Sequence, residues 1–179
     1  MKTRQLCYTA LFAALTAVCS QIAIPTPWQI PISLATLAVF LSGALLGAKW
    51  GTAAQLVYLL LGMVGAPVFA GFRGGLQVLA GPTGGYLIGY LVAAAIVGAL
   101  VSHIHTRWIV PVSMVAGAVA YYIFGTIWFI FLNQTTLTAA LSMCVLPYLP
   151  GDALKVVLAS CLVWRIGITR LLHLSPNHS

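Results

Sequence analysis

Residues 84–102 read GGYLIGYLVAAAIVGALVS, without one charged side chain. A run of that length and character has few destinations. Crossing the hydrocarbon core of a bilayer takes about 20 apolar residues as a helix. Five further runs of similar character lie at about 6–24, 33–48, 51–69, 109–132 and 152–170. Only 5% of the chain is charged, against roughly 25% in soluble domains, so a water-facing surface cannot be assembled. Membrane barrel strands alternate in polarity, and these runs do not. The expectation is an all-α integral membrane protein with six transmembrane helices, forming one membrane domain over residues 1–179.

Breakers punctuate the runs. Pro25, Pro27 and Pro31 precede the second, GPTGG precedes the fourth, and PYLPG precedes the sixth. The first run follows Lys2 and Arg4 as a signal peptide would. It is longer than a typical signal core and lacks a clean small-x-small cleavage site, so it reads as a retained helix. Cations set orientation, being favoured on the cytoplasmic side. With the N-terminus inside, Lys2, Arg4, Lys49, Arg107, Arg165 and Arg170 all fall inside, and only Arg73 and Lys155 fall outside. The predicted topology is therefore N-in/C-in. Lys49 and Trp50 end the short second run at the interface.

The exceptions carry the information. Asp152 is the single acid of the chain, in PYLPGDALKVVLAS. A charge within a spanning helix costs about 2.5–3.5 kcal/mol on insertion scales. Asp152 and Lys155 stand at i and i+3, on one helix face, and Ala159 continues it. Two uses are open. Asp152 caps the helix while Lys155 snorkels to the headgroups, or the two face a polar cavity together. Arg73 lies in FAGFRGGLQVLAGPTGGYLIGY, a glycine-rich outer connection whose backbone N–H groups can approach a ligand closely. The same glycines also serve turns and close helix packing through Gly85 and Gly89. Arg73, Asp152 and Lys155 are placed to converge on a small polar or anionic molecule arriving from outside. Trp28, Phe69, Phe72 and Tyr86, at similar depth, suit either the wall of a pocket or an interfacial belt. In the first run Ala10, Ala14 and Ala17 form a small-residue face with Ala13 beside them. It suits a partner helix or an internal neighbour.

Several functions are excluded. A nucleic-acid binder clusters its cations on one face; the eight Lys and Arg here sit singly. No phosphate-binding G-x-x-x-x-G-K-[ST] loop occurs, so ATP hydrolysis by that route is excluded. No nucleophile–base pair suggests an enzyme. The four cysteines and four histidines lack metal-site spacing, and no cofactor is expected. Asn133-Gln134-Thr135 and Asn177-His178-Ser179 match the glycosylation pattern, with nothing else pointing to a secretory host.

Three stretches together resemble a known family: IPISLATLAVFLSGALLGAKWG, YLLLGMVGAPVFAGFRGGLQVLAGPTGGYLIGY and PYLPGDALKVVLA. They look like the BioY family, the biotin-binding substrate (S) components of energy-coupling factor (ECF) transporters. The likeness covers about residues 8–165. It implies a six-helix S-component fold with biotin captured at the outer side. It also implies a transmembrane coupling (T) subunit and two cytoplasmic ATPases as partners, in the cell membrane of a prokaryote. Carried onto this chain, the aspartate and lysine of the family's GDxxK fall on Asp152 and Lys155. The outer connection then supplies Phe72, Arg73, Gly74, Gln77, Thr83, Gly84 and Tyr86 as binding residues. The coupling contact falls on Ala10 and Ala14.

Biotin's chemistry suits these residues. A carboxylate matches the two ureido N–H donors, and a cation matches the ureido oxygen or the ligand's acid. The preferred pose sets Asp152 and Lys155 on the ureido ring and Arg73 nearer the carboxylate.

Overall fold

A computed structural model describes residues 2–27, 30–104 and 106–166. Trp28, Arg170 and the Asn177-His178-Ser179 motif lie outside the described residues. The chain runs α1 (Lys2–Gln21), β1 (Ala23–Ile24), β2 (Ile32–Ser33), α2 (Ala35–Met63), α3 (Leu76–Ala80), α4 (Gly84–His103), α5 (Ile109–Asn133), α6 (Leu137–Cys144) and α7 (Leu149–Ile166). β1 and β2 form a small antiparallel ribbon, Ala23 facing Ser33.

The bundle is built for lipid. On α1, Gln5, Thr9, Ala13, Thr16 and Ser20 are buried, while Leu6, Leu11, Leu15 and Val18 are exposed. Thr9 and Thr16 turn their hydroxyls onto the carbonyls of Gln5 and Phe12, four residues back, which satisfies them without water. Helices in hydrocarbon associate through small residues and polar contacts, so this inward polar face is the adhesive one. Among the described residues, three helices are long and apolar enough to cross a membrane: α2, α4 and α5. The pair α6 and α7, bent by 51°, makes a fourth if taken as one span.

α2 is a hairpin rather than a rod. At Gly47 the backbone turns to φ 77°, ψ 175°, a region that a side chain would oppose. Gln55 Nε2 then donates to Ser42 Oγ at 2.9 Å. In a straight helix those residues would stand about 20 Å apart. A Cβ on Gly51 would lie 2.7 Å from the Ser42 carbonyl oxygen, so the two arms touch backbone to backbone. Gln55 Nε2 also donates to Thr16 Oγ1 at 3.2 Å, tying α1 to both arms.

Two more contacts order the ends of the bundle. Gly98 of α4 packs on Gly47 and Ala48 at the hairpin tip. Trp164 of α7 donates to the Arg107 carbonyl. Lys49, Arg107 and Arg165 thereby gather at one end. Arg73 lies toward the other, where the C-terminus of α1 meets residues 67–72.

Boundaries differ from expectation at several points, beginning with α1, which spans Lys2–Gln21 rather than about 6–24. The break between the second and third runs falls at Gly47, ahead of residues 49–50. The third helix stops at Met63 rather than 69, because Gly65 (φ 105°) and Pro67 end it. α7 starts at Leu149 and is described to Ile166. The ribbon, α3 and α6 were not expected. If the arms of α2 depend on close approach, Gly51→Leu should destabilise the protein by about 1–3 kcal/mol through overpacking. Thermal unfolding in detergent measures this, and an unchanged midpoint would mean the arms can separate freely.

Candidate functional site

The lone acid is buried and fully engaged. Asp152 and Lys155 are each 5% exposed, and Lys155 Nζ lies 2.7 Å from Asp152 Oδ1. Lys155 also donates to Thr36 Oγ1 at 3.0 Å, and that hydroxyl faces Oδ1 at 3.5 Å. The hydroxyls of Tyr121 and Tyr122 both donate to Oδ2. Each carboxylate oxygen thus has two partners, drawn from the start of α2, the middle of α5 and α7 itself. Asp152 occupies the first turn of α7, where the helix dipole favours an anion. It is not a cap, because its oxygens are spent on side chains. Lys155 does not snorkel; it stays inside beside its counter-ion.

Small residues make this cluster possible. A Cβ on Gly89 of α4 would meet Tyr121 Cα and Cβ at 2.9 Å, and one on Gly125 of α5 would strike the Tyr86 ring at 2.2 Å. The two helices therefore close tightly, and the Tyr121 ring is held edge-on to Tyr86 (6.2 Å) and Tyr90 (6.0 Å). Gly85 likewise abuts Trp128, so the Gly85–Gly89 pair serves helix packing.

Arg73 belongs to a neighbouring cavity. That inner cavity, about 40 Å³, is lined by Arg73, Thr83, Tyr86 and Tyr90, with Ser20, Ser33, Tyr58 and Phe69 among the other walls. Two outer cavities adjoin it. One of about 440 Å³ is lined by Phe72, Arg73, Gly74, Gln77 and Thr83. The other, about 420 Å³, lies between Arg73 and a wall of Ala23, Pro25, Thr26 and Pro31. Arg73 lines all three. Tyr86 and Tyr90 face the inner cavity on one side and Tyr121 on the other. An aromatic partition thus stands between the Arg73 cavity and the ion pair, and neither Asp152 nor Lys155 lines any of the three cavities.

The expected residues therefore fall into two groups. Asp152 and Lys155 come together in the buried cluster. Phe72, Arg73, Gly74, Gln77 and Thr83 surround the outer cavity, with Tyr86 on the partition. Gly84 lines none of these cavities; a Cβ there would stand 1.7 Å from the Leu79 carbonyl oxygen, so it permits α4 to start against α3. Phe69 is buried, edge-on to Tyr58 at 5.5 Å, and walls the inner cavity beside it. Thr36, Tyr90, Tyr121 and Tyr122 were missed. A signal existed for the last two: tyrosine hydroxyls within a spanning run need an acceptor, and the chain has a single carboxylate.

The sequence matches the BioY family over residues 1–171. The chain belongs to the BioY family. Its relatives include the biotin transporter BioY of Thermotoga maritima, 39% identical, covering 91% of this chain and 95% of that protein. The biotin transporter BioY of Rhizobium etli is 35% identical, covering 90% and 92%. Among solved structures, the S-component for biotin from an ECF-type ABC transporter superposes with a TM-score of 0.84. It is 28% identical and covers 92% of this chain and 91% of that one. The helical S-component fold of a membrane protein is thus shared, and the family is one of transporters, not enzymes.

Removing one member of a buried ion pair costs about 3–5 kcal/mol, whereas replacing both with apolar groups is often neutral. Asp152→Ala should therefore unfold at a markedly lower temperature, and Asp152→Leu with Lys155→Met should recover most of the loss. A double variant as unstable as the single one would place the cost in packing instead of charge.

Proposed function

We propose that this protein is the biotin-capturing substrate component of an ATP-driven vitamin importer in a prokaryotic cell membrane. Biotin enters from the outer side and is delivered inward when the protein engages a transmembrane coupling subunit and two cytoplasmic ATPases. The observation that carries this reading is the buried Asp152–Lys155 pair, set behind a tyrosine partition from a cavity that Arg73 overlooks. The relatives' names support the ligand.

The proposed topology has six spans: α1, the two arms of α2, α4, α5 and α7. An even number returns both ends to one side. Lys49, Arg107 and Arg165 at one end of the bundle favour that end as cytoplasmic, which makes the topology N-in/C-in and the whole chain one membrane domain. Arg73 and the ion pair then belong to the outer half.

In the proposed pose Asp152 and Lys155 meet the ureido ring. Lys155 has three N–H donors, two of which are directed at Asp152 and Thr36, leaving one for the ureido oxygen. Arg73 stands nearer the ligand carboxylate, with Gly74, Gln77 and Thr83 around it. Tyr86 and Tyr90 supply the apolar wall. For coupling, Ala10 and Ala14 are solvent- or lipid-facing on α1, whereas Ala13 is buried. The internal-neighbour role thus falls to Ala13, and Ala10 and Ala14 remain open to a partner helix.

Biotin should raise the melting temperature of the purified protein; at 100 times Kd the stabilisation is about 2.7 kcal/mol. A non-transporting scaffold or assembly subunit of a membrane complex, the alternative use for such a chain, would show no shift. Asp152→Asn or Lys155→Ala should weaken binding tenfold or more, at least about 1.4 kcal/mol, in a titration in detergent. Ala10→Leu or Ala14→Leu should spare that titration and stop ATP-driven uptake; lost binding would instead assign the alanines to internal packing.

A further inference from the structure

α1 ends by gripping the turn that carries Arg73. Gln21 Oε1 accepts from the Phe72 N–H at 2.9 Å. Its Nε2 faces the carbonyl oxygens of Phe69 at 3.2 Å and Pro67 at 3.4 Å. Beside it, Ser20 donates to the Val68 carbonyl. An N–H only donates and a carbonyl only accepts, so the turn dictates which way this amide faces. The gripped residue is conformationally unusual: Phe72 has φ 56°, which residues bearing a side chain rarely adopt. Phe69 and Arg73 exchange backbone hydrogen bonds of 2.9 and 3.2 Å across the turn. The backbone of Phe72 therefore sets where Arg73 leaves it, and Arg73 borders the inner cavity and both outer ones.

We propose that Gln21 is a positioning residue. It holds Phe72 in its left-handed conformation and so fixes Arg73 over the cavity, which sets how long a bound ligand stays. This rests on the reading of that cavity as part of the biotin site. Gln21→Glu is the informative change, because it keeps the shape but turns a carboxylate toward the carbonyls of Pro67 and Phe69. Gln21→Leu removes every polar contact.

Biotin association and dissociation are measured on the full-length protein in detergent, beside hydrogen exchange of residues 67–75 in ligand-free protein. Either variant should speed exchange of the Phe72 amide and raise the dissociation rate about tenfold, with little change in association. In a Phe72→Gly background, where the left-handed turn is no longer opposed, Gln21→Leu should raise dissociation far less, giving a non-additive cycle. Unchanged exchange and dissociation in Gln21→Glu would overturn the proposal. So would equal effects in both backgrounds, which would make Gln21 a packing residue. If wild-type protein failed to bind biotin, the functional reading would fall, while the exchange measurement would still decide whether Gln21 holds the turn.

Discussion

A carboxylate buried to 5% exposure must find its partners within the protein, because leaving it unpaired there is costly. Asp152 meets that condition with donors from three helices: Thr36 at the start of α2, Tyr121 and Tyr122 in α5, and Lys155 one turn along α7. Satisfying one acid therefore fixes the relative positions of three elements. It also places two tyrosine rings, one of which backs the cavity. The ion pair is costly to bury, and the arrangement around it is what makes that cost tolerable.

Close helix approach is the second condition, and it rests on glycine. Gly89 lets α5 come near enough for Tyr121 to stand between Tyr86 and Tyr90, and Gly51 lets α2 fold back on itself. Lipid removes the hydrophobic drive for helices to associate, so contact has to come from close van der Waals packing and polar links. Gln55 bridging Thr16 and Ser42 is such a link. α1 thus holds the hairpin through Thr16 and the Arg73 turn through Gln21, while Ala10 and Ala14 stay exposed.

The helical membrane class was legible because long uncharged runs have one physical outcome. The pairing of Asp152 with Lys155 was legible because i,i+3 spacing is a local property of a helix. Tyr121 and Tyr122 were legible only as hydroxyls in need of an acceptor, since they reach Asp152 through the packing of α5 on α7, and no local pattern encodes a partner some 30 residues away. The ribbon was hidden for a similar reason. It is two residues per strand, and its register is continued by Leu34 donating to the Ile22 carbonyl. α3 and α6 are too short for apolar periodicity to speak. The reversal at Gly47 was read as a gap between two runs, yet only a left-handed glycine shows where the chain turns.

The accounting of acceptors sharpens what the lone acid can do. Oδ1 serves Lys155 and Thr36, and Oδ2 serves two tyrosines, so the carboxylate's roughly four acceptor sites are all engaged. A ligand N–H approaching Oδ2 must displace a tyrosine hydroxyl, whereas a ligand oxygen approaching Lys155 needs to displace nothing that the ammonium already holds. The lysine is therefore the easier of the two to engage. Asp152 holds that ammonium in place through the 2.7 Å contact to its Oδ1. Direct contact between the acid and a ligand requires Tyr121 or Tyr122 to move, and Tyr121 is the ring already wedged between Tyr86 and Tyr90. Tyr122 in turn packs on Tyr121 with ring centroids 4.5 Å apart, so displacing either hydroxyl disturbs both rings.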